Sequence, residues 1–342
     1  MYYCADYGLA VALCVVTMFC WGSWGNTQKL AGKTWRYELF YWDYVIGILL
    51  FSLLMGLTMG SCGENAAWGF LANLKASFGK TWLYPLAAGV IFNLSNILLS
   101  AAIAVAGMSV AFPVGVGLAL VGGTVSNYLQ DGKGDPIFLW GGLALIVVSI
   151  VCNALAFKAK ATTAATDSSA TRKGLILAIF AGLLMMWFSP LVNGVVDMSF
   201  VQNAVSPKDG MMTPYTANFI FAVGIFLSNF VWNTIAMRKP VQGEPITDGC
   251  KRYFGGSFPT HLVGVLGGFI WCLGTLLAFV SAGAAGKAIS YALGQGATLV
   301  SALWGILIWK EFAGAPAKSA VLNVVMFVLF VAGLACLIVA GN

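Results

Sequence analysis

The stretch that decides the fold runs from Leu83 to Leu129 and reads LYPLAAGVIFNLSNILLSAAIAVAGMSVAFPVGVGLALVGGTVSNYL. It contains two long apolar segments that are separated only by Ala106 and Gly107. A membrane-spanning helix needs roughly 20 mostly apolar residues, so the stretch predicts two such helices joined by a tight turn. The same design recurs from Val263 to Ile308, which reads VGVLGGFIWCLGTLLAFVSAGAAGKAISYALGQGATLVSALWGILI.

The two stretches match without a gap when the chain is shifted by 179 positions. Coincident glycines at four spacings indicate the same close backbone contacts in both copies, so we interpret the match as an internal duplication. Duplicated helical halves are typical of secondary transporters, whose substrate site lies near the midplane between the halves. The matched pairs are Gly89 with Gly268, Gly107 with Gly286, Gly115 with Gly294 and Gly117 with Gly296.

The composition places the whole chain in a bilayer. Hydrophobic residues make up 60% of the 342 residues and charged residues 9%, whereas a soluble domain has about 25% charged residues. We therefore predict an all-α polytopic membrane protein with ten transmembrane helices. The predicted spans are Tyr7–Gln28, Leu39–Gly60, Leu83–Val105, Met108–Leu129, Ile137–Phe157, Lys173–Val195, Pro214–Met237, Val263–Val280, Ala285–Trp309 and Ala320–Ala340.

The distribution of positive charge predicts the orientation. Thirteen of the 18 Lys and Arg residues fall in or beside alternate loops, which the positive-inside rule assigns to the cytoplasm. Both termini are then non-cytoplasmic, in a multi-pass protein of the plasma (inner) membrane. We divide the chain into a first five-helix repeat (1–160), a cytoplasmic linker (161–171) and a second repeat (172–342). Because five is odd, the second repeat must run through the membrane in the opposite sense, as an inverted repeat.

Polar side chains inside the spans are the candidates for substrate binding. A buried amide or hydroxyl in hydrocarbon requires a partner or a wet cavity. Asn93 and Asn96 are three residues apart, and Tyr291 and Gln295 are four apart, so each pair shares a helix face. Together with Asn193, such faces suit an uncharged solute that forms hydrogen bonds. The alternative is that these groups only join helices to one another.

The first span ends in a cluster of aromatic and small residues, Trp21-Gly22-Ser23-Trp24-Gly25-Asn26. The rings of Trp21 and Trp24 could stack on a flat or sugar-like solute, and Asn26 adds an amide. We count these three residues among the substrate-binding candidates. The alternative is an aromatic belt at the membrane interface.

Two acidic residues near the start of the second span, Glu38 and Asp43, are candidates for proton coupling. A carboxyl group in a partly dry site can load and release a proton in the physiological range. The alternative is that an acidic residue in a first helical turn only complements the helix dipole. The single histidine, His261, is interpreted as no more than a helix cap near a basic loop.

No sequence motif supports an enzymatic function. Gly32-Lys33-Thr34 and Gly79-Lys80-Thr81 resemble the end of a phosphate loop but lack its earlier glycine, and the GxGD string at Gly132–Asp135 lies in a polar turn. The eight cysteines show no metal-binding spacing. We expect no enzymatic activity, no cofactor, no metal and no nucleic-acid partner, and a monomer. An intramembrane hydrolase or a structural membrane subunit stays open as an alternative.

Several strings give the chain a family resemblance to the drug/metabolite transporter superfamily, and within it to the ureide permeases. They include Trp21-Gly22-Ser23-Trp24, Tyr41-Trp42-Asp43-Tyr44, Gly107-Met108-Ser109 and Lys310-Glu311-Phe312, and they run in order along nearly the whole length. The resemblance implies ten spans in two five-helix repeats. It also implies a proton-coupled importer of a ureide or a nucleobase such as allantoin or uracil. Plant members resemble the chain except for a longer central loop with a phosphate-loop-like string, which is absent here.

A weaker resemblance extends to the rhamnose/proton symporters and the glucose/ribose porters of the same superfamily. It rests on Tyr37-Glu38 and on the turn at Gly107-Met108-Ser109. A proton-coupled sugar transporter is therefore the alternative function. Coupling to sodium in place of the proton is also open, since carboxylates and unwound backbone carbonyls can coordinate that ion.

Overall fold

The computed structural model describes residues 2–32, 35–62, 69–161, 168–198, 208 and 210–341. In that part of the chain, ten helices are long and apolar enough to cross a membrane, which confirms the predicted all-α polytopic fold. The predicted linker falls largely on residues 162–167, which lie outside the described residues. The ten helices are α1 (Tyr7–Ala31), α2 (Tyr37–Leu57), α3 (Lys80–Ala106), α4 (Phe112–Asp131), α5 (Pro136–Lys160), α6 (Arg172–Asn193), α7 (Pro214–Arg238), α8 (Phe258–Ala285), α9 (Lys287–Ile308) and α10 (Ala317–Ala340).

Capping residues fix where several of these helices begin. The Asp6 carboxylate accepts the backbone N–H of Leu9 at 2.7 Å and so starts α1. Thr213 accepts the backbone N–H of Thr216 at 3.3 Å and starts α7, in which Pro214 occupies the first position. Between the caps, continuous apolar sequence stays helical because lipid offers no other partner for backbone groups.

Two left-handed glycines make the tight turns that the sequence predicts. Gly107, between α3 and α4, has a φ of 86°, and its repeat mate Gly286, between α8 and α9, has a φ of 88°. Only glycine adopts this region without strain. The match between the two stretches therefore extends to the backbone conformation of the hairpins.

A carboxylate from the opposite half caps the helix that follows each turn. The backbone N–H of Met108 donates to Glu311 at 3.2 Å, and that of Lys287 donates to Asp131 at 2.9 Å. Glu311 also pairs with the ammonium of Lys29 at the end of α1. Glu311 lies just beyond the end of α9 and caps the helix that begins at Met108, whereas Asp131 lies at the end of α4 and caps α9. The sequence match pairs α4 with α9. The two contacts are therefore equivalent and lie at opposite ends of the bundle.

Two helix crossings show the same equivalence. In the crossing of α3 with α7, a methyl group on Gly224 would lie 3.2 Å from the Cα of Gly89. In the crossing of α2 with α8, a methyl group on Gly268 would lie 2.9 Å from the Cα of Gly47. Such contacts require glycine on both helices. They are consistent with two inverted five-helix repeats, a relation that stays a prediction.

Two short helices lie between the spans, where the sequence pattern predicts none. Phe70–Ala76 precedes α3, and Gly249–Phe254 precedes α8. The second one matters for function, because it turns back toward α2 and carries Tyr253 to the carboxylate of Asp43.

Candidate transport site

Three of the spanning helices are interrupted near the middle of the bundle. Between the short helix Met108–Ala111 and the regular part of α4, a π-helical turn covers Phe112–Val116 and contains Pro113. The first part of α6 ends at Met185 and the helix resumes at Phe188, while α9 is broken at Gln295 between Lys287–Gly294 and Ala297–Leu303. Such interruptions free backbone groups and are typical of the binding sites of secondary transporters.

The three interruptions surround a central cavity. Its volume is about 20 Å³, which is room for one water molecule. A solute of several atoms therefore requires the walls to move apart. The cavity is lined by Trp21, Trp24, Phe92, Asn96, Leu99, Phe112, Val116, Met185, Phe188, Trp271, Gln295 and Ala297, none of which is charged.

Aromatic rings form most of this wall. The ring centroids of Phe92 and Trp271 are 4.5 Å apart, and Trp21 stacks on Trp271 at 6.4 Å with 15° between their planes. Phe188 meets the ring of Trp21 edge-on at 6.1 Å. Flat apolar faces at these angles are suited to hold a planar ring between them.

The polar groups of the cavity are few and come from both halves. The Asn96 amide of α3 donates to the hydroxyls of Tyr41 at 3.2 Å and of Tyr44 at 3.3 Å. Gln295 contributes from the break in α9, where it is 2% exposed. The structure thus brings Trp21, Trp24, Asn96 and Gln295 together in one wall, out of the eight residues that the sequence suggests for substrate binding.

The other four lie away from the cavity. Asn93 donates to Ser228 on α7 at 3.0 Å, so it joins two helices. The Tyr291 hydroxyl donates to the carbonyl of Ala119 at 3.1 Å, and its ring packs behind Phe188 with centroids 5.8 Å apart. These contacts match the alternative that the sequence leaves open, namely helix packing.

Asn26 and Asn193 lie toward opposite ends of the bundle. Asn26 accepts the indole N–H of Trp309 at 2.7 Å and donates to the Ser23 carbonyl. Asn193 donates to Asn127 on α4 at 3.0 Å. Neither side chain lines the central cavity.

The carboxylate of Asp43 forms a compact cluster with two groups from other helices. His261 of α8 approaches both carboxylate oxygens through Nδ1, at 2.8 and 3.0 Å, and the Tyr253 hydroxyl donates at 2.5 Å. Burial and the contact with Asp43 raise the pKa of Tyr253, so this hydroxyl remains a donor. Asp43 itself is 2% exposed. The interpretation of His261 as a cap is therefore wrong: it is a direct partner of a buried carboxylate.

One sequence signal could have identified this histidine. His261 stands on the same face of α8 as Gly264, Gly268 and Trp271, at spacings of three, seven and ten residues. That face packs on α2 and then reaches the central cavity. Tyr253 gave no such signal, since its place depends on the fold of a short helix in a loop.

Glu38 belongs to a separate, wider space at the same end of the bundle. The guanidinium of Arg36 holds its carboxylate with contacts of 2.6 and 3.2 Å, and also donates to the carbonyl of Glu244 at 2.5 Å. This space, the vestibule, has a volume of about 480 Å³. It is lined by Gln28, Lys29, Gly32, Trp35, Arg36, Tyr37, Glu38, Ile103, Ala104, Gln242 and Gly243.

An aromatic layer separates the vestibule from the central cavity. Trp24 of the cavity wall lies 4.9 Å from the ring of Tyr44 and 6.1 Å from that of Phe112. Gln28, one turn further along α1, already lines the vestibule. Movement of this layer would connect the two spaces.

Comparison with known proteins identifies the family. The model of the ureide permease family matches residues 40–173 and 158–340. The chain belongs to the ureide permease family. It is therefore a multi-pass membrane transporter of a small molecule and not an enzyme.

Individual relatives are similar over the whole length. The chain is 24% identical to ureide permease 1 and to ureide permease 2 of Arabidopsis thaliana, over all of this chain and 99% of each relative. A shorter match, 26% identical over 51% of this chain and 49% of the relative, links it to the L-rhamnose-proton symporter of Enterobacter sp. (strain 638).

One solved structure, titled only as the crystal structure of a protein, supports the fold. It superposes with a TM-score of 0.53 at 14% identity, covering 96% of each chain.

Proposed function

We propose that this ureide permease family member imports a small uncharged polar solute of the ureide or nucleobase type together with a proton. The observation that carries the proposal is the central cavity, whose wall combines stacked aromatic rings with amides and contains no charged side chain. Planar ureide and nucleobase groups have flat faces for the rings and N–H and C=O edges for the amides.

In this proposal, the solute binds between the two halves. Asn96 and Gln295 form hydrogen bonds to its edges, and Trp21 and Trp24 pack on its faces. Asn26, Asn93, Asn193 and Tyr291 hold the surrounding helices, in keeping with the partners they have.

Proton coupling is assigned to Asp43, with His261 and Tyr253 as its partners. A buried carboxylate can lose its charge more readily than an exposed one, because burial penalises the charged form. The three groups come from α2, the helix Gly249–Phe254 and α8, so a movement between these elements would change the affinity for the proton. Glu38, already held by Arg36, is the second candidate.

Transport proceeds by alternating access between two inverted repeats. Residues 1–160 and 172–342 rock against each other around the cavity, with 161–171 as the tether. The termini are placed outside the plasma membrane, and the transporter acts as a monomer. The equivalent crossings and carboxylate caps support the repeat relation.

A sugar is the second candidate solute. The similarity to an L-rhamnose-proton symporter over half of the chain favours it, and indole rings also pack on sugar faces.

Uptake into proteoliposomes tests both proposals. Purified protein would be assayed with radiolabelled allantoin, uracil, rhamnose, glucose and ribose under an imposed pH gradient. We expect accumulation of allantoin or uracil that is lost when the gradient is collapsed. Accumulation of a sugar alone would replace the first candidate by the second, and no accumulation of any of them would contradict both.

A further inference from the structure

A second large cavity lies at the side of the bundle, next to the coupling cluster. It occupies about 710 Å³ between α2, α7 and the helix Gly249–Phe254, a volume within the usual range of ligand sites. We call it the side pocket. It is lined by Trp42, Ile46, Phe226, Phe230, Thr234, Met237, Arg238, Ile246, Thr247, Asp248, Gly249, Cys250, Lys251, Tyr253 and Phe254.

The inner part of the side pocket is apolar and adjoins the lipid. The rings of Trp42 and Phe230 meet edge-on, with centroids 5.1 Å apart, and Phe226 packs on Phe230 at 5.5 Å. The neighbouring face of α7 exposes Leu227 and Val231 by more than half of their surface. In a transmembrane helix, such a face meets acyl chains, so the pocket is continuous with the hydrocarbon.

The outer part of the pocket is positively charged. Arg238 at the end of α7 and Lys251 on the short helix both line it, and neither has an ion-pair partner among the described residues. Asp248 does not neutralise them, because its carboxylate pairs with Arg252 at 2.8 Å. Two cations without an ion-pair partner among the described residues therefore lie where the apolar part of the side pocket reaches the end of the bundle.

An aromatic and basic short helix of this kind is typical of a membrane interface. Phe254 is 80% exposed beside Lys251 and Arg252, which places an apolar ring and two cations on one turn. Aromatic rings favour the headgroup region, while Lys and Arg favour anionic lipids at that depth.

We propose that the side pocket binds an anionic glycerophospholipid from the adjacent leaflet. Its phosphate would lie between Arg238 and Lys251, and one acyl chain would pack along Trp42 and Phe230. The bound lipid would hold the short helix against α2. Because Tyr253 belongs to that helix and donates to Asp43, the lipid would also stabilise the coupling cluster.

Native mass spectrometry of protein released from nanodiscs tests the binding and does not depend on transport. Nanodiscs would contain phosphatidylcholine and phosphatidylglycerol in equal parts. We expect the wild-type protein to retain one phosphatidylglycerol molecule in preference to phosphatidylcholine. Each cation near an anionic lipid contributes about fivefold to binding, so R238Q/K251Q should reduce the preference by about thirtyfold.

A control variant separates a built site from general surface charge. Lys318 is exposed and does not line the pocket. Lys318→Gln should leave the retained lipid unchanged. Equal retention of both lipids by the wild type, or an equal loss in Lys318→Gln and in the double variant, would overturn the proposal.

A second pair of variants fills the groove without changing any charge. Thr234→Trp places a large ring inside the pocket, whereas Val231→Trp places the same ring on the lipid-facing side of the same helix. We expect the first to lose the retained phosphatidylglycerol and the second to keep it. Retention by both would overturn the proposed position of the acyl chain.

Discussion

The crossing of α2 with α8 and the crossing of α3 with α7 have the same backbone contacts but different chemistry. Gly47 meets Gly268 in the first as Gly224 meets Gly89 in the second. The offset of 177 that relates Gly47 to Gly224 places Asp43 on Ile220. The two crossings thus share their packing, while the acidic group is found in one of them.

The helices α8 and α3, which pack on α2 and α7 at these crossings, also differ in their side chains. The offset of 179 that relates Gly268 to Gly89 places His261 on Trp82 and Gly264 on Pro85. In the α2/α8 crossing, a methyl group on Gly264 would contact Asp43, so the carboxylate packs directly on the glycine. An acid–base cluster at one of two matched crossings is consistent with the proposal that a single proton is coupled to transport.

The largest effect is expected from replacing the glycines at which the helices of the two crossings touch. Gly268→Val and Gly89→Val each force side-chain atoms into the backbone of the facing helix, which should destabilise the fold by about 3 kcal/mol. Gly141→Val is the control, because no atom lies within 4 Å of the added group. Thermal unfolding in detergent measures the difference. If only one crossing were sensitive, the two would not be equivalent.

The next largest effect is expected at Asp43, the carboxylate that the α2/α8 crossing has and the α3/α7 crossing lacks. Asp43→Asn should abolish accumulation driven by a pH gradient, which is about tenfold for one proton and one pH unit. Solute counterflow should remain, because exchange requires no net proton release. Glu244→Gln removes an exposed carboxylate outside the spans and should transport normally.

Two outcomes would move the coupling site elsewhere. Full pH-driven accumulation by Asp43→Asn would exclude Asp43 as the carrier and make Glu38 the next residue to replace. Loss of wild-type uptake when sodium is replaced by choline at constant pH would favour the sodium ion over the proton.

A smaller effect is expected from replacing the two amide side chains that line the central cavity. Asn96→Ala and Gln295→Ala each remove one hydrogen bond to the solute, worth about 1 kcal/mol, so apparent affinity should fall about fivefold without unfolding. Asn93→Ala, one helical turn from Asn96, should change uptake little because its partner is Ser228. Normal uptake by both cavity variants would reassign their amides to helix packing.

The smallest effect is expected from removing the hydrogen bond that Tyr253 donates to Asp43. The Tyr253 hydroxyl donates to the Asp43 carboxylate and so favours its charged form. Tyr253→Phe removes that donor, so the midpoint of pH-dependent uptake should move up by about half a pH unit. Tyr84→Phe, on an exposed ring of α3, is the control. A midpoint that moves down, or moves equally in the control, would contradict the assigned role.

The ten spans were predictable because length and hydropathy alone determine what can cross a bilayer. The close crossings were partly predictable, since Gly89 and Gly268 coincide in the repeat register. The breaks in α6 and α9 had local signals that the predicted spans did not use: Pro190 has no N–H to donate to the carbonyl of Met186, and Gly294 and Gly296 flank Gln295.

The candidate site was predictable to a smaller extent for a similar reason. Polarity within a span suggests five of the eight residues, but it does not distinguish Asn96, which lines the cavity, from Asn93, which does not. Of the two partners of Asp43, Tyr253 depends on the fold of the loop before α8. Residue type suggested candidate groups, and the tertiary structure showed which of them lie together.

The account depends most directly on the inversion of the two repeats, and two native cysteines can test it. Cys62 lies after α2 and Cys250 lies after α7, so the predicted repeat relates the two loops that contain them, and both are exposed. Variants that retain only one of them would be treated with a membrane-impermeant maleimide in intact cells. We predict labelling of Cys62, and labelling of Cys250 only after permeabilisation. Labelling of both from the same side would contradict the inverted repeat.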